Sequence, residues 1–319
     1  MGDDAGTRDV EQRGGLAGAQ GLAVVVAARA VPARRAPAAG VSEAREIAQA
    51  RTVGAVGGGH GSSLPADFAR GGNRIGSGAI KPGMTTSDLS SSDAVQLLSD
   101  GTPSVYDDLL RHARAEDCAP VWLAGADCRL GVMPVPDDPV GAIGAYDPYR
   151  VLAEWWPGPC PEGCTCLEPF LGELPELTRS GEEDRSTSPR TFREAAAMAE
   201  QAAAWGHLAL VRVSRPADIP AVVGWGGACN YPHQDNVRLS AVLRSWEERF
   251  GAVLSVMTTS TLELSVAFPP TTQEEAELVA SEHFAFCPDQ VDPQNGVVYT
   301  PRSYGEKIRS ATRWRFWWD

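Results

Sequence analysis

The chain has 319 residues, 43% hydrophobic and 22% charged, and its 28 Lys and Arg against 41 Asp and Glu leave a net charge of -13. Such an acidic surface repels phosphate backbones, so nucleic acid is not expected as a partner, and no apolar run reaches the roughly 18 to 20 residues that span a bilayer. Seven cysteines, an odd number, behind no basic leader and short early apolar run, point to reduced thiols in a cytoplasm rather than a disulfide framework.

Of 23 aromatic residues only Phe68 lies in residues 1–100, while this stretch holds 17 of the 33 Gly and ten Lys and Arg against ten Asp and Glu. Without large side chains to fill a core, residues 1–100 read as a mostly disordered extension rich in Gly, Ala, Arg and Ser. Met84 is a plausible second start for translation. The run Gly57 to Gly61 lacks the Lys-Ser/Thr of a phosphate loop and follows no convincing strand, so it reads as flexible linker.

From Ser104, an expected N-cap, the residues Val105, Leu109, Leu110 and Ala113 recur at helical spacing. Residues 119–124 read as a short buried strand and 130–135 as a second, closed by the acidic turn Asp137-Asp138-Pro139. Asp147-Pro148 opens a helix that runs to Trp155-Trp156. Together, residues 101–166 are expected to form a small α/β lobe. Residues 167–190, rich in Glu, Pro and Ser, read as a linker.

Residues 191–319 are expected to be an α+β domain: a helix over 191–205, a strand over 208–213, a helix over 236–250 ended by Gly251, strands over 253–257 and 262–268, a helix opened by Thr271 or Thr272 and broken at Pro288, a short helix near Tyr304, and a closing strand over 314–318. That order of strand, helix, strand, strand, helix, strand is the split βαβ, ferredoxin-like arrangement. Three tryptophans in the last six residues must be buried or bound, since each contributes roughly 2 to 3 kcal/mol or more when covered.

Four ordered blocks carry a resemblance: Leu239 to Gly251 (LSAVLRSWEERFG), Leu264-Ser265-Val266-Ala267 before two prolines, His283-Phe284-Ala285-Phe286-Cys287-Pro288-Asp289, and the terminal Trp317-Trp318-Asp319. Together they resemble the bacterial domain-of-unknown-function family 4253 over about residues 208–319, and residues 122–156 resemble the looser upstream half of such proteins. The resemblance implies a soluble bacterial protein of unassigned activity. Members carry a His directly after the residue matching Asn230; here Tyr231 follows and His233 comes two later, which weakens a catalytic His in this loop.

Three residue sets could carry chemistry. His283 and Cys287, spaced i, i+4 with Asp289 nearby, fit a nucleophile and its base, because imidazole can take the thiol proton; the bland reading is a small packing Cys at a helix end. Cys160, Cys164 and Cys166 could hold zinc with a fourth ligand from Cys118, Cys128 or a His, although the spacing is not the usual C-x2-C pair and exposed reduced thiols are the simpler reading. The loop of residues 224–235 could receive a polar ligand among Trp225, Asn230, Tyr231, His233 and Asp235, or simply cap the helix that follows. The favoured function is a non-enzymatic binding or regulatory domain with a basic protein partner; the alternative is a small cysteine-dependent hydrolase or transferase using Cys287 and His283.

Overall fold

The computed structural model describes residues 94–125, 128–158, 164–176, 183–231, 235–294 and 296–319. The extension expected over residues 1–100 lies outside them as far as residue 93, as do Met84 and the run at 57–61. Within its last residues, Val95–Leu97 forms strand β1 at one edge of the sheet.

Helix α1 (Pro103–Glu116) is capped by Thr102, whose hydroxyl accepts the Val105 N–H, rather than by Ser104. The reason is Pro103: with φ preset and no N–H, it suits the first helical position and moves the cap two residues upstream. Asp138 caps α2 (Pro139–Gly144) and Asp147 caps α3 (Pro148–Trp155), each by accepting a backbone N–H. Residues 130–135 are not a strand. Gly131 donates to Val223 O, and Val132 and Met133 both donate to Gly224 O, so the segment clips onto a loop instead of a sheet edge.

The mixed α+β class holds, with eight α-helices and one six-stranded sheet among the described residues. Besides β1 the strands are β2 (Ala119–Ala124), β3 (Gly206–Val211), β4 (Ala252–Met257), β5 (Thr261–Val266) and β6 (Arg313–Trp317), in the order β1-β3-β2-β4-β5-β6. This order is not that of a split βαβ unit. There the first strand of the C-terminal set would pair with the third; here β4, β5 and β6 form an antiparallel meander, and β2 separates β3 from β4, antiparallel to the former and parallel to the latter. The two lobes expected from composition therefore share one sheet. All six residues of β2 are buried, and a strand apolar on both faces is stable only with cover above and below and a neighbour on each side.

Alternation sorts the side chains to two faces. Trp122, Leu208, Leu210, Val253 and Val256 meet α1 and α4 (Pro189–Ala202). Leu123, Ala209, Leu254, Leu264, Trp314 and Phe316 meet α3, α6 (Asn236–Phe250), α7 (Gln273–Phe286) and α8 (Pro301–Ile308). A register shift between Leu254 and Val256 lets β4 serve both faces along its length. Helix α6 is buried nearly all round because its charges find partners: Asp218 takes two N–H bonds from Arg244, at 2.5 and 2.9 Å, and Arg215 bridges Glu247 and Glu248 at 2.7 and 2.8 Å.

Candidate functional site

Thr272 caps α7 by accepting the Glu275 N–H, and the helix runs until Pro288, which has no N–H to continue the ladder. Cys287 has already left helical geometry, at φ -139° and ψ 92°. Its thiol consequently turns away from the helix and donates to Trp317 O at 3.1 Å. Two residues on, the Asp289 carboxylate accepts the Asp319 N–H at 2.9 Å, and the Gln290 side chain donates to Arg315 O at 2.5 Å. In an antiparallel pair alternate residues turn their backbone groups outward; since Thr312 and Trp318 bond across to Val266 and Ser260, the carbonyls of Arg315 and Trp317 face away from β5. The segment 287–290 thus occupies the free edge of β6 and satisfies it with side chains.

His283 lies elsewhere. Its ring is fully buried in a box of Trp314, Phe316, Trp246 and Tyr304, with ring centres at 4.5, 4.8, 5.0 and 5.7 Å. Nδ1 is 3.4 Å from the Tyr304 hydroxyl, and Nε2 has no hydrogen-bond partner. Burial, reinforced by the Arg249 charge, holds the imidazole well below its usual range, so it is neutral and packs as an aromatic ring. Burial, with the Asp289 charge adding to it, pushes the Cys287 thiol well above its ordinary value. An activated thiolate needs the opposite shift and a base in reach; here imidazole and thiol point to different partners, and the i, i+4 spacing makes only the backbone bond from Cys287 N to His283 O.

The loop of residues 224–235 divides in a similar way. Gly224, at φ +58°, lies where a Cβ would come within 2.5 Å of Met133 O. It delivers Trp225 into the core, edge-on to Trp318 at 5.5 Å, with its indole N–H on Thr258 O and its carbonyl on the Asn236 amide. Asn230 donates to Asp319 O at 2.6 Å. Tyr231 is hydrogen-bonded to Asp289, and burial first, then that bond, raise its hydroxyl. Asp235 is the N-cap of α6, accepting the Arg238 N–H at 2.8 Å. His233 lies outside the described residues.

Residues from both sequence-predicted sets, Trp225, Asn230 and Tyr231 from one and Cys287 and Asp289 from the other, therefore converge on Trp317, Trp318 and Asp319. Gln294, which donates to the Asp319 side chain at 2.8 Å, completes the cluster. It is a latch that fastens the last strand. Sequence reasoning missed Gln290 and Gln294; the signal available was an exposed strand edge that needs donors. It also missed Glu282, which takes a bidentate pair from Arg249 at 2.9 and 2.5 Å and the Trp246 indole N–H at 2.7 Å, all of it buried.

Of the proposed zinc cysteines, Cys160 lies outside the described residues; the sulfurs of Cys164 and Cys166 are 3.2 Å apart. Cys118, one suggested fourth ligand, is buried against α1, where burial pushes its thiol up to about 11. Among the described residues no three His, Cys, Asp or Glu side chains gather as a metal site, and no helix is long and apolar enough to cross a membrane.

The family model described as Domain of unknown function (DUF4253) matches residues 207–319. No curated protein and no solved structure matches the chain. The matched segment supplies α5 (Ile219–Val222), α6, α7, α8, five of the six residues of β3, all of β4 to β6 and every residue of the latch, while β2, which lies between β3 and β4, comes from outside it. The likeness to that family is confined to residues 207–319, about a third of the chain.

Proposed function

We propose that the chain is a non-enzymatic binding or regulatory domain that takes a basic protein partner. The observation that supports this reading is the use to which Cys287 and His283 are put: the thiol closes the edge of β6 and the imidazole fills an aromatic box, so neither is presented to a substrate. Residues 101–319 carry 31 Asp and Glu against 18 Lys and Arg, and a surface of that sign steers cationic partners toward it. The alternative, a hydrolase or transferase built on Cys287 and His283, would need β6 to leave and both groups to be re-aimed.

Capture of partners by the full chain at about 0.1 M and 1 M salt, where the Debye length falls from about 10 to 3 Å, tests the reading. The expected partner is a basic protein, confirmed by direct titration of the purified pair, whose affinity drops steeply across that range. A salt-independent partner of acidic or neutral charge would contradict the electrostatic part. A turnover lost in Cys287→Ser would replace the whole reading with the enzymatic one.

A further inference from the structure

The loop of residues 164–174, which comes after α3, carries two thiols at its start. Cys164 is exposed, Cys166 is half-buried, and their sulfurs are 3.2 Å apart. Thr165 O accepts the Glu168 N–H at 3.0 Å and Leu167 O accepts the Phe170 N–H at 2.7 Å, so the chain turns directly after Cys164. That turn buries Leu167 and sets Cys166 against the main core. Farther along, Gly172 O takes the Trp156 indole N–H at 2.7 Å and Leu174 O takes the Tyr149 hydroxyl at 3.1 Å, which ties the loop to α3 and its cap. The fold therefore anchors Cys166 from inside and leaves Cys164 facing solvent. Among the described cysteines the others are less open: Cys118 and Cys287 are buried, and Cys128 and Cys229 are half-buried.

We infer that Cys164 and Cys166 form a redox modification site, a dithiol that a low-molecular-weight disulfide converts to an intrachain disulfide. The spacing favours a bond between the sulfurs over a shared zinc. A tetrahedral zinc with Zn–S bonds of about 2.3 Å keeps its thiolates about 3.8 Å apart, whereas a disulfide brings them to about 2.0 Å, and the pair at 3.2 Å already lies inside the zinc spacing. The site shares no residue with the latch and does not depend on the nature of the protein partner.

The chemistry is thiol–disulfide exchange in two steps. The Cys164 thiol gives up its proton and its sulfur attacks one sulfur of the small disulfide RSSR; a mixed disulfide forms on Cys164, and the departing RS⁻ takes the proton and leaves as RSH. The Cys166 sulfur, its own proton lost, then attacks Cys164 Sγ and breaks the mixed bond, and the second RS⁻ leaves as RSH with that proton. Two protein thiols and one RSSR become one protein disulfide and two RSH, so the dithiol is oxidised by two electrons and RSSR is reduced by two. Exposure gives the first attack to Cys164, and anchoring gives the resolving step to Cys166.

The test is incubation of the full chain with oxidised glutathione, with and without a chelator, read by alkylation, intact mass and peptide mapping. The parent is expected to lose two hydrogens and to gain a bridge between Cys164 and Cys166 at the same rate in both conditions, with its thermal midpoint unchanged and with Cys118 and Cys287 still thiols. Cys166→Ser should instead accumulate glutathione on Cys164, and Cys164→Ser should slow the reaction at Cys166 at least tenfold. Cys160→Ser should form the bridge as the parent does. A bridge from Cys160 to either thiol, glutathione that stays on Cys164 of the parent, or oxidation that begins only after a chelator has removed zinc would each overturn the assignment.

Discussion

The two faces of the sheet are built from different material. Against α3, α6, α7 and α8 lies an aromatic cluster in which Trp246 touches His283, Phe286, Trp314 and Phe316 at ring distances of 4.7 to 5.7 Å. Against α1 and α4 the packing is finer grained: Ala195, Ala199 and Ala202 let α4 approach closely, and Tyr106 and Trp122 are its large members. The aromatic face also contains charge, the Arg249 and Glu282 pair, and the last strand of the chain. Large rings bury much area per residue but depend on one another and on β6 staying in place; small residues spread the same task over many contacts.

Removal of residues 314–319 should be the most damaging change, since it takes away Trp314, Phe316 and Trp318 and the partner of the whole latch. The truncated chain is expected to lose cooperative melting altogether, and a sharp thermal transition in it would break the comparison. Trp246→Ala should follow at about 3 to 5 kcal/mol, with Glu282→Gln in a similar range of about 3 to 5 kcal/mol, because it leaves a buried guanidinium uncompensated. On the other face Met198→Ala should remain within about 2 to 3 kcal/mol, near the lower end for a buried Met. Chemical denaturation of the three variants side by side sharpens the contrast, and equal losses would remove it.

At the latch, Cys287→Ala should destabilise by about 1 to 3 kcal/mol by leaving Trp317 O without its donor, while Cys287→Ser, which keeps an O–H there, should lose less. The pH dependence has a sign at each end. His283 is lowered in the fold, so the unfolded chain takes up a proton first: stability is complete above the ordinary imidazole value of about 6.5 and is lost as pH falls from there toward the depressed folded value. Cys287 is raised, so the unfolded thiol ionises first: stability is complete below the ordinary thiol value of about 8.5 and is lost as pH rises beyond it. Denaturant midpoints from pH 5 to 10 should show both limbs; His283→Phe should flatten the acidic one and Cys287→Ala the alkaline one.

Much of the aromatic face is legible in sequence because its signals are local. Asn236 to Phe250 shows its apolar face and its Gly251 stop, residues 253–257 and 262–268 read as strands, the second ending at Val266 in the fold, and tryptophans at 314, 317 and 318 demand cover. The strand order is not legible, because pairing of β2 with β4 depends on residues more than a hundred positions apart and an apolar run says nothing of its neighbours. His283 and Cys287 look like a dyad at i, i+4 only if the helix continues; Pro288 ends it, and the thiol turns to a backbone carbonyl. Nothing in the spacing of Arg249 and Glu282 reveals that each is the other's partner across two helices.

The most direct test is the rate at which Cys287 is alkylated in the native protein across pH 5 to 9, resolved by mass spectrometry and compared with the thiol in urea. A thiol that closes the edge of β6 should label only as fast as the fold opens, with the rate rising in step with denaturant along the global unfolding transition. Rapid labelling of the native protein well below the ordinary thiol pKa of about 8.5 would contradict the latch and make Cys287 an activated nucleophile.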